Sequence, residues 1–155
     1  MVPSPIGPLT VVADDGALVR LAMSPATQLD PDEIGERSDH EFDSVVRQLG
    51  EYFAGDRTAF DLPLRPVGSA FELAVWDQLT RIPYGETRSY GYVAKAVGEP
   101  GGAQAVGAAN GRNPLAIVVP CHRVIGADGS LIGFGGGLPR KRFLLDLEQR
   151  ADRLF

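Results

Sequence analysis

The only cysteine of the chain, Cys121, follows an apolar run and stands next to a histidine. A lone cysteine is commonly an inert, buried hydrophobic side chain. Here Pro120 cannot donate to a sheet ladder, so a strand must end or bulge at the thiol. His122 and Arg123 place two potential cations near the sulfur, which would favour the thiolate, the reactive form of cysteine. The pattern indicates a candidate nucleophile.

A direct pair between His122 and Cys121 is not possible if both residues are extended, because neighbouring side chains of a strand point to opposite faces. Either the backbone turns sharply between them, or a water molecule carries the proton. A third group is then expected to orient the imidazole. Glu148, beside Leu147 in the last predicted helix, is the candidate, although a lone helix carboxylate is more often a solvated surface group.

The run Pro-Cys-His-Arg-Val at 120–124 resembles the O6-alkylguanine-DNA alkyltransferases, and the similarity extends over nearly the whole chain. The start of the chain, residues 4–9, is also similar to bacterial members. The other matching segments are Ile-Pro-Tyr-Gly-Glu-Thr at 82–87, Ser-Tyr at 89–90, Ala-Val-Gly at 105–107, Asn-Pro at 113–114 and Gly-Gly-Gly-Leu at 135–138.

The resemblance implies direct-reversal repair of double-stranded DNA. One displacement would move the alkyl group from guanine O6, and also from thymine O4, to the sulfur of Cys121. The thioether product is not reversed by thiol exchange, so the resemblance implies a single turnover and no cofactor. Because the reacting atom is out of reach inside a duplex, the base has to be flipped out of the helix.

The resemblance also implies roles for individual residues. Glu148, His122, a water molecule and Cys121 match the relay that ionises the thiol. Tyr90 matches the tyrosine that protonates the leaving guanine, and Asn113 matches the asparagine that orders the active-site loop. Without the resemblance, Tyr90 could equally be a core residue, and Asn-Pro is simply a turn signal.

The resemblance further implies that Val124, Phe134, Gly135 and Gly136 line the pocket for the base. The glycines would let the backbone approach the flipped base closely. Phe134 stands where the family commonly has a tyrosine, which keeps the aromatic ring and loses a hydroxyl.

Contacts with DNA are expected from Tyr90, Gln104, Arg112 and Arg123. Gln104 stands where the family commonly has an arginine that fills the gap left by the flipped base, and Arg112 could supply the missing charge. The substitution at Gln104 keeps a second function open, a protein that binds alkylated lesions without reacting. A Cys/His hydrolase is a third alternative.

The charge is divided unevenly along the 155 residues, whose formal net charge is −5. Residues 1–68 contain 12 acidic and 5 basic side chains, whereas residues 69–155 contain 8 and 10. The second half is therefore the expected DNA-facing part. With Cys121, His40 and His122 as the only soft ligands, we expect no metal site.

The composition is that of an ordinary globular protein, with 44% hydrophobic and 23% charged residues. We expect a cytoplasmic location, since a single free thiol suits a reducing compartment and no apolar stretch is long enough for a membrane span. A monomer is expected in solution, and cooperative binding along DNA is left open.

Residues 1–65 are predicted to form a small lobe with an antiparallel sheet and a helix. Asp-Asp-Gly at 14–16 is a hairpin turn signal, and Pro63 restricts its strand to a sheet edge. The predicted elements are strands at 9–13 and 18–22, an amphipathic helix over 41–54 and an edge strand over 60–64.

Residues 66–155 are predicted to form a mainly helical lobe, so that the fold class is α/β of the α+β type. The second and third helices of this lobe, joined by a short glycine-containing turn, indicate a helix-turn-helix. Small residues of the third helix could pack on the core, approach DNA, or do both on opposite faces. The predicted elements are helices over 70–81, 90–97, 102–111 and 139–152, and a strand over 116–119 leading to Cys121.

Overall fold

The computed structural model describes residue 2 and residues 4–14, 16–23, 42–99, 101–126 and 138–153. Within these residues the fold is a mixed α+β arrangement in which short strands accompany five α-helices. No helix in this part of the chain is both long and apolar enough to cross a membrane. The helices are α1 (Asp43–Phe53), α2 (Ala70–Thr80), α3 (Tyr90–Ala96), α4 (Ala103–Gly111) and α5 (Leu138–Arg153).

The hairpin predicted near the amino terminus is confirmed. Strands β1 (Thr10–Asp14) and β2 (Ala17–Ala22) pair antiparallel, with a register shift after Val12. Gly16 adopts a positive φ of 80° in the connecting turn, a conformation that favours glycine.

The edge strand predicted over 60–64 is wrong, because only Leu64 makes a bridge, parallel to Leu18 of β2. Pro63, the residue before it, has no amide hydrogen to donate, and its carbonyl accepts from the Leu18 amide at 2.8 Å. Upstream, the amide of Asp61 donates to the side chain of Gln48 instead of to a strand. A side chain of α1 therefore takes the place of a strand partner.

Helix α1 presents one buried face to the core, as its apolar spacing predicted. Gly55, with φ +83°, follows its end. Its buried residues are Val45, Gln48, Leu49 and Tyr52.

The helix-turn-helix is formed by α3 and α4, which contact each other and α2. The Ser89 hydroxyl caps α3 by accepting from the amide of Tyr92 at 3.0 Å. Gly98, with φ +83°, follows α3. Trp76 of α2 donates its indole N–H to the carbonyl of Ala109 at 2.9 Å and so attaches α2 to α4.

The strand predicted over 116–119 is also wrong, since these residues form successive turns. Ile117 has φ +73°, which a β-branched residue rarely adopts, and a bond from the Val119 amide to the Leu115 carbonyl closes the turn. Two further short strands, which the sequence did not predict, pair in parallel: β3 (Arg88–Ser89) and β4 (Val124–Ile125). This pairing joins the start of α3 to the residues that follow the thiol.

Candidate active site

Cys121 begins a single turn of 3-10 helix, Cys121–Arg123, directly after the turns at 116–119. The Cys121 amide donates to the carbonyl of Val119 at 2.8 Å, and the Arg123 amide donates to that of Pro120 at 3.0 Å. The backbone therefore turns sharply at the thiol, which is one of the two arrangements that the sequence left open. The thiol is free and buried, with 5% of the residue exposed.

The His122 side chain points to the last helix. Its Nε2 lies 2.6 Å from Oε2 of Glu148, and both residues are fully buried. The other ring nitrogen, Nδ1, is buried and has no hydrogen-bond partner among the described residues. Burial lowers the pKa of His122, and the hydrogen bond and charge of Glu148 only partly oppose this shift. The imidazole is therefore neutral at neutral pH.

Glu148 is the centre of a buried polar cluster rather than a surface carboxylate. Arg123 donates from Nε to Oε1 at 2.8 Å and from its terminal nitrogen to Oε2 at 3.0 Å. Tyr52 of α1 donates its hydroxyl to Oε2 at 2.6 Å. Burial would raise the pKa of Glu148, but the hydrogen bonds of His122 and Arg123 and the charge of Arg123 outweigh it and lower the pKa to about 2. We refer to Glu148, His122, Arg123 and Tyr52 as the Glu148 cluster.

The expectation that His122 and Arg123 lower the pKa of the thiol is wrong. His122 is neutral, and the charge of Arg123 is paired with Glu148. Burial raises the pKa of Cys121, while a hydrogen bond from Asn113 and the charge of Lys141 act in the other direction. The resting thiol is therefore protonated at neutral pH, so a base has to take its proton during a reaction.

The cation whose charge lowers the pKa of the Cys121 thiol is Lys141 of α5, which was not among the residues predicted from the sequence. Its ammonium group donates to the carbonyl of Val124 at 2.5 Å and lies 5.7 Å from the centre of the Tyr90 ring. Lys141 and Glu148 are seven residues apart, which places them on one helix face. This seven-residue spacing from Glu148 is the sequence signal that indicates the lysine.

Asn113 holds the turn that precedes the thiol. Its side-chain amide donates to the carbonyl of Val119 at 2.8 Å, and its side-chain oxygen accepts from the amide of Leu115 at 3.0 Å. One side chain thus spans the turns at 116–119 from both ends. This geometry suits the loop-ordering role that the resemblance implied.

Tyr90, the first residue of α3, is buried beside the thiol. Burial raises its pKa, the charge of a Cys121 thiolate raises it further, and a hydrogen bond with Asn110 acts in the other direction. The phenol therefore keeps its proton while the thiolate is present. Val124 is also fully buried, in β4. Phe134, Gly135 and Gly136 lie outside the described residues.

The structure does not support a DNA contact by Arg123. Its guanidinium is buried, and its remaining nitrogen donates to the carbonyl of Ile82 at 2.7 Å. The guanidinium of Arg123 therefore bonds within the Glu148 cluster and does not lie at the surface.

Gln104 and Arg112 do lie at the surface. Gln104 belongs to the exposed side of α4, whereas Val106, Ala109 and Asn110 are buried on the opposite side. Small residues thus occur on both faces of the helix. Arg112 is engaged by Glu72 of α2, with Nε 2.6 Å from Oε2, although the arginine side chain remains 65% exposed. We define the outer face of α4 as Ala103, Gln104, Ala105 and Ala108.

The described residues contain no group of three potential metal ligands. His40, one of the three soft ligands in the sequence, lies outside them.

The fold and the site together define a helix-turn-helix protein with a buried cysteine beside a bonded histidine and carboxylate. Two family models match the chain: the ribonuclease-like domain of 6-O-methylguanine DNA methyltransferase over residues 1–66, and the DNA binding domain of the same family over residues 70–150. The chain belongs to the 6-O-methylguanine DNA methyltransferase family.

Several relatives are similar over nearly their whole length. A methylated-DNA–protein-cysteine methyltransferase of Mycolicibacterium paratuberculosis is 55% identical, covering 96% of this chain and 90% of the relative. One from Methanosarcina acetivorans is 47% identical, with 94% of each chain covered. The crystal structure of Mycobacterium tuberculosis OGT in complex with DNA is 50% identical, with a TM-score of 0.91 over 97% of this chain and 92% of that one.

Proposed function

We propose that this chain is a single-turnover methylated-DNA–protein-cysteine methyltransferase that repairs DNA by direct reversal. The observation that carries the proposal is a buried thiol in the same 3-10 turn as a histidine bonded to a buried carboxylate, in a chain that belongs to this family. The substrate is O6-alkylguanine in double-stranded DNA, and O4-alkylthymine is a second substrate. A non-reactive lesion-binding protein is not favoured, because the chain retains the acceptor thiol.

In the reaction, the sulfur of Cys121 forms a bond to the alkyl carbon as the bond from that carbon to guanine O6 breaks. His122 accepts the thiol proton at Nδ1 through a water molecule, and Glu148 stabilises the resulting imidazolium. Tyr90 donates a proton to the leaving guanine. As the thiolate charge disappears, one of the influences that raise the pKa of Tyr90 is removed, so the phenol becomes a better acid when the base needs a proton.

DNA is held by the helix-turn-helix, with the outer face of α4 towards the duplex. Gln104 occupies the gap left by the flipped base, and the small residues beside it allow a close approach. Val124, Phe134, Gly135 and Gly136 line the pocket for the base. The division at residue 65, a cytoplasmic location and a monomeric state in solution are parts of the same proposal. The family matches over 1–66 and 70–150 support the division, and the free thiol supports the location.

Intact-mass spectrometry after mixing with duplex DNA that contains O6-methylguanine tests the function. We expect a gain equal to one CH2 unit, which peptide mapping assigns to Cys121, and equimolar loss of the lesion. Binding without a mass gain would support the lesion-binding alternative. If the protein neither binds the DNA nor gains mass, the hydrolase alternative remains.

A further inference from the structure

One hydrogen-bond donor to the Glu148 carboxylate, the hydroxyl of Tyr52, comes from the amino-terminal part of the chain. The other residues of the site lie within residues 70–150. Tyr52 lies in α1, 96 residues before Glu148, and its hydroxyl donates to Oε2 at 2.6 Å. The tyrosine is fully buried. Its ring contacts Phe53, Phe60 and Tyr84, with centroid distances of 5.3, 5.5 and 6.3 Å. Three aromatic neighbours hold the ring, so the hydroxyl is fixed in place.

The direction of this hydrogen bond follows from the ionisation of its partners. Burial, followed by the charge of Glu148, raises the pKa of Tyr52, so the group is a neutral phenol at neutral pH. Glu148 is ionised, with a pKa of about 2, and can only accept. The phenol therefore donates, and so does every other group bonded to this carboxylate.

A carboxylate that only accepts also sets the tautomer of His122. The neutral imidazole has to carry its proton on Nε2 in order to donate to Glu148 at 2.6 Å. Nδ1 is then the unprotonated nitrogen, which can accept the thiol proton. Oε2 is shared by Tyr52, His122 and Arg123, whereas the shortest contact of Oε1 is with Arg123. The contact with Tyr52 therefore acts on the oxygen that orients the imidazole.

We propose that Tyr52 is a positioning residue for alkyl transfer: it fixes Glu148 in the orientation that keeps His122 ready to accept the thiol proton. The inference rests on the proposed function and assigns the amino-terminal lobe a part in the reaction. Arg123 holds the carboxylate from one side, through two nitrogens. Tyr52 adds a donor that approaches Oε2 from α1, and without it the buried oxygen has one partner fewer and more freedom to rotate.

Tyr52→Phe is the direct test, because it keeps the ring and removes only the hydroxyl. The readout is the rate of transfer from the free base O6-benzylguanine, which requires no DNA binding. We expect transfer to slow by about 10-fold, in keeping with the loss of a hydrogen bond to a charged group. Gln48→Leu is the matched control. It removes partly buried hydrogen bonds of the same helix, to Ser44 and to the main chain at Asp61, without touching Glu148.

Two comparisons separate positioning from general destabilisation. Gln48→Leu should lose stability and keep the wild-type rate per folded molecule. In a Glu148→Gln background, Tyr52→Phe should slow transfer by much less than 10-fold, because the group through which it acts has been replaced. The same loss in both backgrounds, or an equal loss from Gln48→Leu, would overturn the proposal. Wild-type protein that fails to alkylate Cys121 would instead overturn the proposed function.

A spectroscopic readout follows the histidine itself. The proton between His122 Nε2 and Glu148 should give a low-field NMR signal, and this signal should shift in Tyr52→Phe but not in Gln48→Leu. If Tyr52→Phe does not fold, 3,5-difluorotyrosine at position 52 keeps the ring and strengthens the donor. It should then move the histidine signal to higher field and change the rate. An unchanged signal together with an unchanged rate would contradict the positioning role.

Discussion

The Glu148 cluster and the outer face of α4 place residues of the proposed site in opposite environments. In the cluster, all four side chains are buried and hydrogen-bonded to one another, and only Nδ1 of His122 has no partner among the described residues. On the outer face of α4, Gln104 is exposed between small residues. Removing one partner of a buried ion pair leaves an uncompensated charge, whereas an exposed side chain exchanges its partners for water at little cost. The interior should therefore determine the chemistry, and the surface should adjust how well DNA is held.

Among the substitutions that keep the acceptor thiol, replacing Glu148 should have the largest effect on rate. In Glu148→Gln the imidazole loses its anionic partner, and we expect transfer to slow by about 10²–10⁴-fold, the usual contribution of general acid–base assistance. DNA affinity, measured by fluorescence anisotropy, should change little. An unaltered transfer rate at neutral pH would show that the cluster is only structural.

Arg123→Met tests the stability of the same cluster. The variant leaves the buried carboxylate without its guanidinium, and we expect a loss of about 3–5 kcal/mol in the free energy of unfolding, measured with urea. DNA contacts should not be lost directly, because Arg123 is not presented at the surface. A stable variant with weakened DNA binding would restore the prediction that Arg123 contacts DNA.

The pH dependence of stability sharpens this test. The folded-state pKa of Glu148 is about 2, below its usual value of 4.5. Its ionisation therefore stabilises the fold above pH 4.5, and that contribution is lost as the pH falls towards 2. The difference between wild type and Arg123→Met should be greatest above pH 4.5 and shrink on acidification. A difference that is independent of pH would mean that the arginine acts through packing alone.

On the surface, Gln104→Arg should accelerate repair of duplex DNA. Arginine adds a fixed charge and a planar guanidinium at the gap left by the flipped base. Stabilising the flipped state by about 1–3 kcal/mol corresponds to a rate increase of roughly 5- to 150-fold. The free base O6-benzylguanine needs no flipping and should react almost equally with both proteins. Equal acceleration of both substrates, or none on the duplex, would show that position 104 does not face the gap.

The smallest effect is expected at the exposed pair between Glu72 and Arg112. Glu72→Gln releases Arg112 from its carboxylate partner, and stability should change little. If the released guanidinium reaches a phosphate, the slope of log affinity against log salt should steepen by about 0.9. Asp77→Asn, which removes the partner of Arg81 on the same helix, is the matched control. An equal change of slope in both variants would indicate a non-specific effect of charge.

The sequence predicts the elements that depend on local signals and misses those that depend on distant contacts. The five helices and the hairpin have strong local signals in apolar spacing, caps and glycines. The turns at 116–119 do not, because four apolar residues are also typical of a buried strand. Two features that the apolar pattern does not reveal stabilise the turn: the hydrogen bonds of the Asn113 side chain at both ends, and the positive φ of Ile117.

Among the site residues, Cys121 and His122 could be predicted from the residues themselves, and Glu148 could be predicted with the support of the resemblance. Tyr52 could not, since a tyrosine on the apolar face of a helix is ordinarily a core residue. Its hydroxyl gains a partner only when two distant segments fold together. Arg123 is the opposite case: its charge suggests a surface contact as long as its buried partner, Glu148, is unknown.

Cys121→Ser gives the most direct test of the central claim that this thiol accepts the alkyl group. The hydroxyl is nearly isosteric and much harder to ionise, so transfer from duplex DNA with a radiolabelled O6-methyl group should be abolished. DNA affinity should stay within a few-fold of wild type, because the thiol is buried away from the outer face of α4. Label transferred to the serine variant at the wild-type rate would contradict the account.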